Sequence, residues 1–274
     1  MESSSPSKIS TTFIWRRVHS LMGLWLVLYL CIHLLINSQA AVWISDEGSG
    51  FVRLVNILES LPFLHVVEIL LIGIPLAIHL VWGLKRIFTA KTNLFGSSGK
   101  KPELKYGRNQ AYTLQRWTSW VLLFGIIGHV VQMRFLDEPK KIHIQGKEQS
   151  LVKLVDDQKL APLATKIGAT IFYPTEMNGL KPGEVFATAD TPGTVMLLSV
   201  RDTFKSPTMC VLYTVFLLAA AFHAMNGFWT FLIAWGAILS YRSQKAMIPV
   251  SLIGMVVLVF LGLAAIWGSY WIGG

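Results

Sequence analysis

Five apolar runs, each near or above the roughly 20 residues that cross a hydrocarbon core, set the organisation of the chain. The first follows the basic flank FIWRR and continues through WLVLYLCIHLLIN. The others run from Pro62 to about Ile87, Ala111 to about Phe135, Cys210 to about Leu239 and Ile248 to about Ile272. The first run also has the outline of a secretory signal peptide, with SQA at 38 to 40 as a loose cleavage site. Cleavage there would discard His33 and the best-patterned helix, so this run is read as a retained span. Residues 1–11, MESSSPSKIST, are polar and predicted to be disordered. The segment 137–206 has a different rhythm: KIHIQGK, SLVKLV, GATIFY and GTVMLLSV are short and β-rich between Gly and Pro turns. The pattern thus predicts an all-α membrane protein of five transmembrane helices, with a small β-containing loop. Its parts are a cytoplasmic tail (1–11), helices one to three (12–136), an extracytoplasmic cap (137–206) and helices four and five (207–274). His143, in KIHIQGK, reads as a solvated loop side chain.

Composition agrees. At 53% hydrophobic, 14% charged and a mean hydropathy of +0.53, the chain is too apolar for an ordinary soluble domain. A net charge of +9 raises nucleic acid as a partner. The basic residues border apolar helices, however, where bilayer orientation and acidic lipid account for them, so no nucleic-acid role is expected. Arg16, Arg17, Lys85, Arg86, Lys91, Lys100, Lys101, Lys105, Arg108, Arg116, Arg242 and Lys245 all share one side if the N-terminus is cytoplasmic and the C-terminus outside. Cys31 and Cys210 form no CxxC or CxxCH, which argues against thiolate zinc, iron–sulfur clusters held by this chain and covalent c-type haem. Both read as small buried hydrophobes.

Against this background four residues are costly. His33, His79, His129 and His223 each sit inside one of the first four apolar runs. An imidazole in hydrocarbon needs partners for its nitrogens, and intramembrane ionisable residues mark functional sites by default. One histidine on each of four helices supplies two bis-imidazole metal centres, for which non-covalently bound haem is the obvious cofactor. A rise of 1.5 Å per residue puts His33 roughly 24 Å beyond Arg17 and His129 roughly 20 Å beyond Arg116, both towards the outer face. His79 lies roughly 10 Å from Arg86, towards the inner face. His223 is midway between Lys205 and Arg242, and the ruler leaves its depth open; elimination pairs it with His79. That pairing requires the fourth helix to protrude inwards beyond the bilayer.

Other residues fit around these. Gly83 and Gly227 follow His79 and His223 by four residues, where a missing side chain would let a porphyrin approach, or equally let two helices pack. Pro75 is expected to kink the second helix. Glu68 lies about three turns before His79, roughly 16 Å further out on the same stripe. It is a candidate for proton exchange with a quinone, or else a partner for His65 at i−3. Arg16, Arg17, His19, Gln115 and Arg116 border the inner ends of the first and third helices. They are candidate donors to haem propionates, although arginines serving topology alone would look the same.

With these residues on the page, the chain resembles the single-chain, five-helix dihaem cytochrome b anchor of bacterial succinate:quinone oxidoreductases. RRVHSLMG, IHLLIN, LPFLHVVEILLIGIPLAIHLVWG, LQRWTSW, GHVVQMR, FHAMNGFWTFLIAWG and YRSQK together carry the resemblance over nearly the whole membrane portion. It implies that His79 and His223 ligate the haem nearer a dehydrogenase, and His33 and His129 the outer one. It also implies a flavoprotein and an iron–sulfur subunit docked on the cytoplasmic face of the inner membrane, with electrons passing to a quinone, menaquinone. Succinate oxidation would belong to the partner, since no dinucleotide fingerprint is present. The 137–206 segment departs from the family, where this connection is short, and leaves open the shape of an outer quinone pocket. Two other readings are a nitrate-reductase-like dihaem anchor, which draws its ligands from fewer helices, and a haemless proton-coupled transporter.

Overall fold

The structure is a computed structural model, and it describes residues 10–41, 44, 46–89, 107–144, 146–176 and 179–273. Most of the predicted disordered tail lies outside the described residues, as do Lys91, Lys100, Lys101 and Lys105 of the basic set. Among the described residues, five helices are long and apolar enough to cross a membrane: α1 (Thr11–Ser38), α3 (Leu64–Thr89), α4 (Gly107–Leu136), α7 (Pro207–Ala234) and α8 (Tyr241–Trp271, continuing to Gly273). None of the most apolar stretch of α4 is buried within the chain. Side chains such as Val81, Phe124 and Val256 are exposed, and lipid is the solvent that suits them. The chain is a multi-pass membrane protein.

The last two spans differ from expectation at their shared connection. α7 stops at Ala234 rather than near Leu239, because Gly236 takes a left-handed φ of 79° and its N–H and that of Ala237 close on Ile233 and Leu232. α8 starts at Tyr241 and runs through Pro249, so Arg242 and Lys245 belong to its first turns rather than to a loop. In α3, residues Ile69–Gly73 form a π-helical segment just before Pro75. Pro75 has no N–H, which deprives the Leu71 carbonyl of its α-helical donor. The indole N–H of Trp25, on α1, donates to that carbonyl at 2.5 Å. A second π-helical segment, Val131–Leu136, ends α4.

The chain clusters into two compact units, one of Met1–Leu30, His65–Thr118 and Phe222–Met255, the other of Cys31–Leu64, Ser119–Ala221 and Val256–Gly274. The second contains the segment between α4 and α7. Here β1 (Lys140–Ile144), β2 (Lys147–Val155), β3 (Thr170–Phe172) and β4 (Glu184–Ala189) form an antiparallel sheet in the order β1-β2-β4-β3. His143 lies on the edge strand β1, not in a loop, and is solvent-exposed as expected. β4 was not anticipated, and GTVMLLSV is not a strand. It lies in helix α6 (Pro192–Phe204), with Pro192 in the first turn, where its missing N–H costs nothing.

The misreading has a physical cause. α6 buries Val195 and Leu198 with Val152, Leu154, Val185 and Ala187 of the sheet and with Leu160 and Ala164 of helix α5 (Leu160–Lys166). Its other side buries Leu197, with Met196 and Val200 alongside, against Phe51 and Val55 of helix α2 (Ser49–Glu59). A helix covered on both sides loses its 3.6-residue polar stripe and reads as a continuous apolar run, which periodicity cannot tell from a buried strand. α2, between the first two spans, is an amphipathic helix that the sequence reading passed over. Asn56 on α2 accepts the Gly193 N–H at 2.8 Å and fixes the contact with α6.

Candidate functional site

In the first unit, the His79 and His223 rings face each other with centroids 6.3 Å apart and planes at 76°. A metal bonded to one nitrogen of each ring at about 2.0 Å would hold two centroids about 6 Å apart, so the spacing suits a single iron between them. The remaining ring nitrogens are occupied in a way that favours this. His79 Nδ1 lies 3.1 Å from the His19 carbonyl, which can only accept. His223 Nδ1 lies 3.2 Å from Thr118 Oγ1, whose own proton is directed to the carbonyls of Leu114 (2.8 Å) and Gln115 (3.1 Å). Both imidazoles therefore carry hydrogen on Nδ1 and present Nε2 as a lone-pair donor, the arrangement that orients metal-bound histidines.

The surroundings hold these rings in place. His19 stacks on His79 with centroids 4.0 Å apart and planes at 11°, and its own Nδ1 is buried without a hydrogen-bond partner. An added Cβ at Gly23 would lie 2.9 Å from His79 Cε1, so α1 can approach the ring only because position 23 is glycine. At Gly83 the nearest side-chain atom to such a Cβ is His19 Cε1 at 3.8 Å, and at Gly227 it is Gln115 Nε2 at 3.9 Å. Both positions thus lie beside residues singled out as propionate donors. Gln115 donates to the His223 carbonyl at 3.2 Å and accepts from Asn226 Nδ2 at 2.8 Å. Of the basic residues, Arg16 is exposed, Arg17 donates to the Ala234 carbonyl and lies over the Phe13 and Trp235 rings, and Arg116 donates to the Ile87 carbonyl at 3.3 Å. Glu68 ends the α-helical turn before the π segment of α3, and its carboxylate is 3.6 Å from His65 Nδ1, so the i−3 contact weighed from sequence does form.

In the second unit, His33 and His129 face each other with centroids 5.8 Å apart and planes at 82°. His129 Nδ1 lies 3.3 Å from Tyr213 Oη, and the Tyr213 hydroxyl donates to Gln132 Oε1 at 3.1 Å. The tyrosine oxygen therefore accepts from His129, which again leaves Nε2 as the lone-pair nitrogen. Gln132 Nε2 donates onwards to Thr203 Oγ1 at 3.2 Å. The His33 carbonyl accepts from Asn37 Nδ2 at 2.8 Å.

The structure brings together the rings of His79 with His223 and of His33 with His129. The supporting residues Thr118, Gln132 and Tyr213 were missed. The signal was present: each is a hydrogen-bonding side chain within an apolar run, and such residues on histidine-bearing helices are costly without a partner. Among the described residues no three His, Cys, Asp or Glu side chains converge as a dedicated metal site would require. Haem iron takes its remaining ligands from the porphyrin and asks the protein for only two axial ones. Paired imidazoles with Nδ1 engaged, as in His79, His223 and His129, are a donor set that suits it.

No family model and no solved structure matches the chain significantly. Among curated proteins it is similar to the succinate dehydrogenase cytochrome b558 subunit of Bacillus subtilis (strain 168), with 29% identity over 255 residues, covering 93% of this chain and 95% of that one. That similarity is sustained over nearly the full length of both chains, and the five helices long and apolar enough to cross a membrane suit a membrane-bound cytochrome subunit.

Proposed function

We propose that the chain is the membrane-anchor cytochrome b subunit of a succinate:quinone oxidoreductase. The observation that carries this is the near full-length match to the Bacillus subtilis succinate dehydrogenase cytochrome b558 subunit. The reading brings b-type haem to the chain, a flavoprotein and an iron–sulfur subunit as partners, and a quinone, menaquinone, as the electron acceptor. His79 with His223, and His33 with His129, would hold two haems, supported by ring spacing and by the acceptors on Nδ1 of His79, His223 and His129. Bound there, the haems supply one-electron relay between the iron–sulfur partner and the quinone.

The chain's own residues then have separate tasks. Thr118, the His19 carbonyl and Tyr213 orient the imidazoles. Arg16, Arg17, His19, Gln115 and Arg116 stand as donors for propionates, Gly83 and Gly227 as places where a porphyrin can approach, and Glu68 as the group that exchanges protons with quinone. The N-terminus is cytoplasmic and the sheet-bearing 137–206 segment lies outside, in a bacterial inner membrane. Succinate oxidation itself resides on the partner subunits.

Redox titration of the complex in membranes tests this. Two b-type haems, at least one reducible by succinate, are expected. Replacing His79 or His223 singly should remove one haem and spare the other, and replacing His33 or His129 should do the converse. A preparation with all four histidines that binds no haem would overturn the reading, and loss of different haems from His79 and His223 variants would overturn the pairing.

A further inference from the structure

The hydrogen bonds behind His129 do not stop at Tyr213. Tyr213 donates to Gln132 Oε1, and Gln132 uses its amide nitrogen on Thr203. Asp137, the first residue past α4, closes the π-helical turn with its backbone N–H on the Gln132 carbonyl at 2.8 Å, which sets its carboxylate beside the Gln132 side chain. The directions are consistent along the line. An ionised Asp137 lies beside the Gln132 amide, Gln132 Oε1 accepts from Tyr213 O–H, and Tyr213 Oη accepts from His129 N–H. Each bond polarises the next, so the carboxylate charge strengthens the hydrogen bond at His129 and makes that imidazole a better electron donor.

We propose that Asp137, acting through the positioning residues Gln132 and Tyr213, is the proton-linked group of the His33–His129 site, so that losing its proton favours the oxidised form of the metal that His129 holds. This rests on the haem reading above and extends it. Reduction adds one electron at the site, supplied by the iron–sulfur partner or by dithionite in a titration, and one proton from water is taken up on the Asp137 carboxylate.

The charges around Asp137 support a carboxyl that titrates at accessible pH. Burial pushes its pKa above the usual carboxylate range, the hydrogen bond from Gln132 opposes this, and the charge of Asp202 on α6 adds to it. Asp202 is itself bound to Lys205 at 2.6 Å, and Lys205 also holds Asp157 at 2.7 Å. On its own helix end, Arg134 is paired with Glu138 at 2.7 Å. Thr203 contributes a hydroxyl and no charge.

The experiment is a potentiometric titration of both haems in the intact complex across pH, for the natural protein, Asp137→Asn and Tyr213→Phe. In the natural protein one haem should become harder to reduce as pH rises. The total change in its reduction equilibrium should be on the order of tenfold, the size of one unit-charge interaction over a few hydrogen bonds in protein. Asp137→Asn should abolish that dependence and hold the potential at its low-pH value. Tyr213→Phe should weaken the dependence, read on whatever share of that haem it retains, and neither variant should move the second haem. Redox-difference infrared spectra should show a protonated-carboxyl band that is lost in Asp137→Asn. The proposal is overturned if both haems respond to pH alike in the natural protein, or if Asp137→Asn keeps the dependence. Absence of haem from the natural complex would instead overturn the reading it rests on. Should Asp137→Asn fail to assemble, the natural protein's pH titration and infrared band still decide the matter.

Discussion

Thr118→Val isolates the orientation of one histidine. Valine matches threonine in shape but cannot accept the His223 Nδ1 hydrogen, which lies 3.2 Å from Thr118 Oγ1. The buried donor is then unpaired, at a cost of about 1–3 kcal/mol. An independent estimate comes from metal sites, where removing the residue that orients a histidine costs about 10–100-fold in affinity, or about 1.4–2.8 kcal/mol at 1.4 per decade. The two agree because both measure the loss of one preferred tautomer and ring orientation. Haem content, measured by reduced-minus-oxidised spectra at limiting haem supply, should therefore fall for one haem only. That haem should be the one also lost on replacing His79. Thr118→Ser, which keeps the hydroxyl, should restore it. Equal occupancy and unchanged potentials in Thr118→Val would refute the claim that this hydrogen bond orients the ligand. Equal loss of both haems would show instead that the variant damages the bundle.

Three further outcomes follow from particular contacts. Gly23→Ala would place a methyl 2.9 Å from His79 Cε1; overpacking of about 1–3 kcal/mol should deplete the same haem, visible in the same spectra, and an unaffected spectrum would mean that the ring has room to move. Trp25→Phe removes the donor to the Leu71 carbonyl that Pro75 leaves without its helical partner, and should destabilise the detergent-solubilised protein by about 1–3 kcal/mol, read as a lower Tm; an unchanged Tm would show that the carbonyl finds another donor. In the sheet-bearing segment, burial raises the Asp157 pKa, but the hydrogen bond and charge of Lys205 and the backbone N–H groups of Lys159 and Leu160 outweigh it and leave the pKa depressed. A depressed carboxyl stabilises the fold above its unfolded pKa, near 3.9, and loses that contribution as pH falls through the folded value. Hydrogen exchange in α6 should thus quicken only in acid, and Asp157→Asn should remove that acid dependence.

How much of this was legible in the chain depended on whether the signal was local. Segments that must satisfy their own backbone in lipid are long and apolar, so the five spans could be read directly, and histidines stand out there because hydrocarbon makes them costly. Counting residues from charged flanks puts His33 and His129 at one level and His79 at another, since helical rise is constant, and His223 falls to His79 by elimination. Limits appeared wherever burial erased periodicity. α6 was taken for a strand because it is covered on both sides, and the end of α7 turned on a single left-handed glycine. By itself, then, the sequence determined the spans and the four histidines that lie within them, because hydropathy acts along one segment. Only the tertiary structure decided which neighbours face each imidazole, His19 and Thr118 in one cluster and Tyr213 with Gln132 in the other. A hydrogen bond between helices depends on their rotation and approach, which packing sets and no single segment encodes.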